Sequence, residues 1–227
     1  MLTFLVPAYN EAAGLAETIN SLLAQAQTLG IAAEILIVND ASADGTGAVA
    51  EGLAARHSAV RVVHHPQNRG IGGGFMTGAR EARGEWLMLI PADLALDPAE
   101  IRAYLAAAPA ADIVVGNRSD MRDYAPFRLL VHYANITLIR WLFRVPLHQF
   151  QYICLYRLSL LRALEIEYWH SAFFHAEILI KAHRRGARLV EVPIRYVPRT
   201  SGRATGASWR AIRNTLRDMF TFWWRGA

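Results

Sequence analysis

Three charged side chains and a proline fall just past segments that read as strands. Pro7 closes the apolar run 2–7, Asp40 follows 34–39, Asp93 follows 86–90 and Arg118 follows 113–116. In an open parallel sheet, ligands bind outside the carboxyl ends of the strands, so polar groups gathered there are what a nucleotide site looks like. A carboxylate such as Asp40 can accept hydrogen bonds from a base edge. Tyr9 and Glu11 lie in the loop after the first run. Each also has a local explanation: Tyr9 as a half-buried loop aromatic, Glu11 as an acid complementing a helix N-terminus. Strand ends commonly carry turn residues, so the chemistry depends on whether the fold brings these positions to one edge.

The elements that must position them are legible in the spacing. Leu15, Ile19, Leu22, Leu23 and Ala26 predict a helix over 12–29. Asp44 is placed to cap a helix over 46–57, and 60–64 reads as a third strand. A glycine-rich turn opens a helix over 72–83, and Pro98 sits at the first position of a helix capped by Asp97. Strands alternating with helices predict an α/β domain with a mostly parallel sheet. Beyond Gly116 the pattern turns helical, with one more strand near 188–192. Gly70-Ile71-Gly72-Gly73-Gly74 is not a dinucleotide fingerprint, because position 75 is Phe and the stretch follows the third strand, not the first. Close backbone packing at a helix start accounts for these glycines.

Composition bounds the function. A chain of 227 residues, 53% hydrophobic and 19% charged, can bury a sizeable core and is not a disordered tail, collagen or a coiled coil. The single cysteine, Cys154, excludes a disulfide scaffold and a cysteine-based zinc site and suits a reducing compartment. No basic-plus-apolar leader precedes the first strand, and no run of ~18 uncharged apolar residues is present, so neither a signal peptide nor a membrane span is expected. Residues 1–115 carry six Arg against twelve acids (net −6), and residues 116–227 carry 17 Arg and Lys181 against seven acids (net +11). That asymmetry suggests a cation-assisted site joined to a surface for anions. The pI of about 9.7 raises nucleic acid as a partner, but no recognition motif or aromatic platform supports it. After Ser208, an N-cap by residue type, Trp209, Ile212, Leu216, Met219, Phe220 and Trp223 form an apolar stripe, with Arg210, Arg213 and Arg217 on the other side. Trp with Arg on such a helix is an interfacial pattern, although two ordinary core-packing helices would also satisfy this stripe and the similar segment 127–145.

Several motifs occur in order. They are Val6-Pro7-Ala8-Tyr9-Asn10-Glu11; Val38-Asn39-Asp40-Ala41-Ser42-Ala43-Asp44-Gly45-Thr46; Asn68-Arg69-Gly70 with Gly72, Gly78 and Gly84; Ala92-Asp93-Leu94; Gly116-Asn117-Arg118; and Glu177, Arg185-Gly186 and Glu191-Val192-Pro193-Ile194, followed by Arg199 and Gly202. The ordered set resembles the family 2 inverting glycosyltransferases, in particular the polyprenyl- (dolichyl-) phosphate sugar synthases. The resemblance implies a GT-A-like α/β fold: a single nucleotide-binding, Rossmann-like domain with C-terminal amphipathic helices. It divides the chain into a domain over 1–206, with a nucleotide-sugar half at 1–116 and an acceptor half at 117–206, and a membrane-surface helix at 207–227.

By the same resemblance, Pro7, Tyr9, Glu11, Asp40 and Gly70 bind the nucleotide, and Asp93 binds Mg²⁺ or Mn²⁺ on the donor diphosphate. The first acid of the family's Asp-x-Asp is Pro91 here, so Asp93 acts alone or with water and donor oxygens. Arg118, Arg128, His132 and Arg199 grip the acceptor phosphate. Asp93 and Arg118 carry the catalysis, with Glu177 as the candidate base should the acceptor be a hydroxyl. His148 stands near where the family carries an Asp, and Tyr152-Ile153 near its Gly-Phe. The expected activity is transfer of a hexose from a GDP-mannose- or UDP-glucose-type donor to a polyprenyl phosphate, with inversion. The protein would work peripherally at the cytoplasmic face of the cell membrane. The alternatives are a sugar or glycolipid hydroxyl as acceptor and a non-catalytic nucleotide-sugar-binding module.

Overall fold

The computed structural model describes residues 1–93, 96–118, 126–150, 153–195 and 209–226, with the side chains of 126–128 and 210 outside the description. Seven strands form one sheet: β1 (Leu2–Ala8), β2 (Ala33–Asn39), β3 (Val60–His64), β4 (Trp86–Leu89), β5 (Ile113–Arg118), β6 (Cys154–Arg157) and β7 (Leu189–Ile194). Their order is β3-β2-β1-β4-β6-β5-β7. The pairs β1/β2, β2/β3, β1/β4 and β5/β7 are parallel, whereas β6 is antiparallel to both β4 and β5. The predicted mostly parallel sheet is therefore present, with one reversed strand that the sequence reading missed. The Cys-Leu-Tyr-Arg run of β6 is four residues long and does not alternate, so its periodicity cannot separate a buried strand from a helix turn.

Alternation along the strands divides the core into two layers. Phe4, Val6, Ile35, Ile37, Met88 and Val114 face α1 (Leu15–Leu29), α2 (Thr46–Arg56) and α4 (Ile101–Ala107). Leu5, Leu36, Val38, Leu87, Leu89 and Val115 face α3 (Gly70–Glu81), α5 (Pro126–Phe143), α6 (Leu158–Ala163), α7 (Phe174–Arg184) and α8 (Trp209–Trp224). In this second layer Phe75 meets Tyr156 edge-on at 5.4 Å, and Phe222 of α8 packs on Phe143 and Phe173 at 5.5 Å each.

Two helix boundaries depart from the spacing for identifiable reasons. α1 starts at Leu15, not at 12, because the N–H groups of Glu11 and Ala12 donate to Thr46 Oγ1 and Asp44 Oδ2 of the neighbouring loop. α3 starts at Gly70 because Asp40 receives the N–H groups of Arg69 and Gly70, and its last carbonyls at Ala79, Arg80 and Ala82 accept from the Arg162 guanidinium. Asp97 caps the turn at Pro98 as expected, accepting from Ala99 N–H at 2.9 Å.

The direction of the strands decides where the site forms. Six strands run one way, so the carboxyl ends of β1, β2, β3, β4, β5 and β7 and the amino end of β6 lie at one sheet edge. Strand order reverses at β1, between β2 and β4, which places the ligand crevice between the loops after β1 and β4.

The glycines of α3 permit its close approach. A Cβ on Gly78 would lie 2.3 Å from Leu5 Cδ2, and one on Gly72 would lie 1.8 Å from the Trp169 carbonyl oxygen. A Cβ on Gly52, inside α2, meets nothing within 4 Å. Gly72→Ala is accordingly expected to lower stability by roughly 2–3 kcal/mol through overpacking. Gly52→Ala is expected to raise it by up to about 1 kcal/mol through helix propensity. Urea midpoints of the two variants measure both effects.

Candidate functional site

The floor of the crevice is built on Asp40. Its backbone N–H donates to Ala8 O at 2.9 Å, joining the loop after β2 to the end of β1. The carboxylate is buried: Oδ1 accepts from Arg69 N–H at 2.8 Å and from His65 Nδ1 at 2.6 Å, and Oδ2 accepts from Gly70 N–H at 2.8 Å. His65 Nε2 meets Thr77 Oγ1 at 2.8 Å, so the ring bridges Asp40 and Thr77 of α3. Three of the roughly four lone-pair directions of the carboxylate are thus used inside the protein.

The loops after β1 and β2 are stitched together beside this floor. Asn10 N–H donates to Ser42 Oγ at 3.0 Å, and Asn10 Oδ1 accepts from Ala43 N–H at 2.9 Å. Asn10 and Ala41 hold φ of 56° and 57°, the left-handed region that costs an L-residue about 1–2 kcal/mol. Asp44 Oδ1 accepts from Thr46 N–H at 2.9 Å and from the Thr46 hydroxyl, and these bonds hold its carboxyl below the usual carboxylate range. Tyr9 stands half exposed on this rim, and Pro7 packs against Gly74 of α3. Gly70 has φ of 70°, and its Cα faces open space, so the backbone at the head of α3 is accessible to a ligand.

Asp93 lies in the turn after β4, partly buried, with the preceding Ala92 O accepting from Thr18 Oγ1 of α1 at 2.6 Å. Among the described residues no group of three His, Cys, Asp or Glu side chains forms a metal cage. One carboxylate at the crevice suits a hard divalent cation of the kind that is held by one or two carboxylates and completed by substrate phosphates. Arg118 ends β5, buried, and its backbone is clamped by Gln149: Arg118 N–H donates to Oε1 and Nε2 donates to Arg118 O, both at 2.9 Å. Glu191 of β7 holds that Gln149 turn by accepting from His148 N–H at 3.0 Å and Gln149 N–H at 3.2 Å, and it pairs with His148 Nδ1 at 2.7 Å. His148 is therefore a loop anchor. Gln149 carried no signal in the sequence because it acts on a strand 31 residues away.

The fold brings Pro7, Tyr9, Glu11, Asp40, Gly70, Asp93 and Arg118 to one sheet edge. His132 lies on α5, edge-on to Tyr133 at 5.4 Å, while the Arg128 side chain and Arg199 fall outside the described residues. Glu177 is a correction. Its carboxylate is fully buried, accepting from Glu167 N–H and Tyr168 N–H at 2.9 Å each and from Lys181 Nζ at 2.8 Å. A carboxylate with no exposed surface and three internal donors shapes the loop that supplies them. Its neighbour His175 is also buried, and burial pushes its pKa from 6.5 down to about 3, so the ring is neutral at neutral pH. Between those values the unfolded chain takes up a proton that the folded chain refuses, so this contribution is complete above pH 6.5 and is lost as pH falls towards 3. Urea midpoints from pH 7 to pH 4 are expected to fall, with a shallower slope in His175→Gln.

Comparison with known proteins follows the same lines. The Glycosyl transferase family 2 profile matches residues 3–164. An undecaprenyl-phosphate mannosyltransferase of Micrococcus luteus is 29% identical over 235 residues, covering 98% of this chain and 95% of its own. A dolichyl-phosphate beta-glucosyltransferase of Drosophila melanogaster is 30% identical over 252 residues, covering 99% and 74%. Among solved structures, glucosyl-3-phosphoglycerate synthase from Mycobacterium tuberculosis with Mn²⁺, UDP and phosphoglyceric acid superposes with a TM-score of 0.75 at 16% identity, over 98% of this chain and 78% of that one. The Pyrobaculum calidifontis mannosyltransferase with GDP-Man and Mn²⁺ gives 0.70 at 22% identity, over 99% and 64%. These likenesses show a shared GT-A-type fold. With a matched profile spanning most of its length, the chain belongs to glycosyltransferase family 2.

Proposed function

We propose that this glycosyltransferase moves a hexose from a nucleotide sugar of the GDP-mannose or UDP-glucose type to a polyprenyl phosphate, with inversion at the anomeric carbon. The observation that carries the reading is the placement of Asp93 and Arg118 on one sheet edge, on strands separated by β6 alone. Two strand spacings are about 10 Å, a gap suited to a diphospho-sugar between a carboxylate side and a guanidinium side. The matched polyprenyl-phosphate relatives, covering nearly the whole chain, support the acceptor class.

An acceptor phosphate oxygen attacks C1 as the C1–O bond to the nucleotide diphosphate breaks, and the diphosphate departs with the bonding pair. A phosphate monoester is largely ionised at pH 7, its second pKa being about 6, so the nucleophile needs no general base. The burial of Glu177 fits this chemistry and weighs against a hydroxyl acceptor activated by that residue. Pro7, Tyr9, Glu11, Asp40 and Gly70 form the nucleotide side, and Arg118, with Arg128, His132 and Arg199, the acceptor side. A divalent ion bound at Asp93 would neutralise charge on the departing diphosphate. Arg118 would orient the acceptor phosphate through paired N–H donors, a geometry that Lys lacks.

A lipid acceptor requires access to a bilayer. No helix among the described residues is long and apolar enough to cross a membrane. α8 turns Met219 and Phe222 into the core and leaves Trp209, Leu216, Phe220, Trp223 and Trp224 exposed, bordered by Arg213 and Arg217. The one acid of this helix, Asp218, is buried and paired with Arg217 at 2.9 Å, so the outward surface is cationic and aromatic. α5 adds exposed Leu130, Tyr133 and Trp141. These faces suit peripheral contact with an anionic membrane surface, at the cytoplasmic side in our reading. Cys154 accords with a reducing compartment: it is fully buried, and burial raises its pKa to about 12.

Incubation with labelled GDP-mannose or UDP-glucose, Mn²⁺ and polyprenyl phosphate is expected to give lipid-extractable label; no label with any nucleotide sugar overturns the reading. Asp93→Asn and Arg118→Lys are each expected to lower turnover by about 10²-fold or more at unchanged melting temperature. Co-sedimentation with phosphatidylglycerol vesicles is expected to exceed that with phosphatidylcholine and to fall in Trp209→Ser/Trp223→Ser.

A further inference from the structure

We propose that Arg69 recognises phosphate oxygens of the nucleotide donor, that Trp169 holds its guanidinium in place, and that Glu177 and Lys181 are positioning residues for this pair. The inference rests on the donor reading of the sheet edge. Arg69 heads α3 beside Asp40, whose Oδ1 accepts its N–H at 2.8 Å. Its guanidinium carbon lies 5.0 Å from the centre of the Trp169 ring. By contrast, Arg61 is neutralised by Glu34 at 3.0 Å and Arg157 by Glu85 at 2.8 Å. Among the described residues, Arg69 forms no ion pair with a carboxylate. A guanidinium stacked on an indole keeps its in-plane N–H donors available, and loses less freedom when it binds an oxyanion than an unrestrained side chain does.

Trp169 is itself fixed from two sides. Its carbonyl oxygen occupies the space a Cβ on Gly72 would need, at 1.8 Å, and its ring lies 3.4 Å from the Cβ position of Gly73. From α7, Glu177 captures the N–H groups of Glu167 and Tyr168, the two residues before Trp169. Lys181 Nζ bridges Glu177 Oε1 at 2.8 Å, Glu167 Oε1 at 2.9 Å and Glu165 O at 2.6 Å. Burial works against the Lys181 charge, but the bonds to Glu177 and Glu167 outweigh it and raise its pKa above the ordinary value. Two charges on successive turns of α7 thus set the height and angle of the tryptophan against α3, and the tryptophan sets the arginine. The buried glutamate that looked like a base acts on the donor site through this chain of contacts.

Isothermal titration with GDP and with UDP, each with Mn²⁺, tests the proposal, alongside steady-state kinetics. Arg69→Ala and Trp169→Ala are expected to weaken the diphosphate about tenfold, and Trp169→Phe, which keeps an aromatic face, by less than about threefold. Glu177→Gln is expected to raise Kd and donor KM by about three- to tenfold while kcat and the pH profile stay within about twofold of wild type. Arg69→Ala/Glu177→Gln is expected to be no weaker than Arg69→Ala alone, because both act on one contact. Should Glu177→Gln not fold, Lys181→Gln takes its place in the same cycle. Unchanged donor affinity in Arg69→Ala overturns the proposal, as does a Glu177→Gln defect confined to kcat with loss of the acid limb of the pH profile. A rise only in the polyprenyl-phosphate KM would assign Arg69 to the acceptor instead. Wild-type protein that binds neither GDP nor UDP removes the donor reading itself, a result distinct from binding that ignores these substitutions.

Discussion

The burial of the Asp40 carboxylate against the first turn of α3 is the constraint on which the site depends. A buried carboxylate is costly unless its charge is met by well-placed donors. Here the donors are two backbone N–H groups at a helix N-terminus and an imidazole, all within 2.8 Å. The helix needs an acceptor at that end, and the carboxylate needs donors, so each satisfies the other. Because Asp40 belongs to the loop after β2 and His65 follows β3, the same interaction draws two strand ends and one helix into a single rigid corner. The left-handed backbone at Asn10 and Ala41 persists beside this corner because cross-loop hydrogen bonds hold it.

The other side of the crevice repeats this physics with different residues. Gln149 uses both ends of its amide on the backbone of Arg118, and Glu191 captures the N–H groups of the turn that carries Gln149. Glu177 does the same for the segment before Trp169. In each case a side chain with two acceptor or donor atoms satisfies backbone groups of a loop that has no sheet or helix partner of its own. Loops held in this way can present charged residues without the freedom that would weaken their grip on a ligand.

Charge and exposure then divide the molecule's tasks. The front half is acidic, and its Asp40 carboxylate is fixed inward. The back half is rich in arginine and carries the outward aromatic stripe of α8. A phosphate nucleophile, ionised before it arrives, asks the protein for positioning and charge neutralisation more than for proton transfer. A buried, internally bonded Glu177 is consistent with that demand.

Much of this was legible in the residues alone. Alternating strand and helix patterns, the polar residues after Asn39, Ile90 and Gly116, and the order of the motifs point to a parallel sheet with a nucleotide edge, since local periodicity and strand-end chemistry are properties of short segments. The tertiary structure alone decided which way the side chains at that edge turn. β6 was invisible because the four residues Cys-Leu-Tyr-Arg carry no period, and its amino end lies at the same sheet edge as Arg118, where Gln149 clamps the Arg118 backbone. Glu177 and Asp40 read alike as available acids, yet the fold buries both carboxylates against internal donors. Arg69 and Trp169 lie 100 positions apart and meet only because glycines at 72 and 73 let two backbones touch. Hydrogen-bond partners distant in sequence are chosen by packing, and packing is a property of the whole chain.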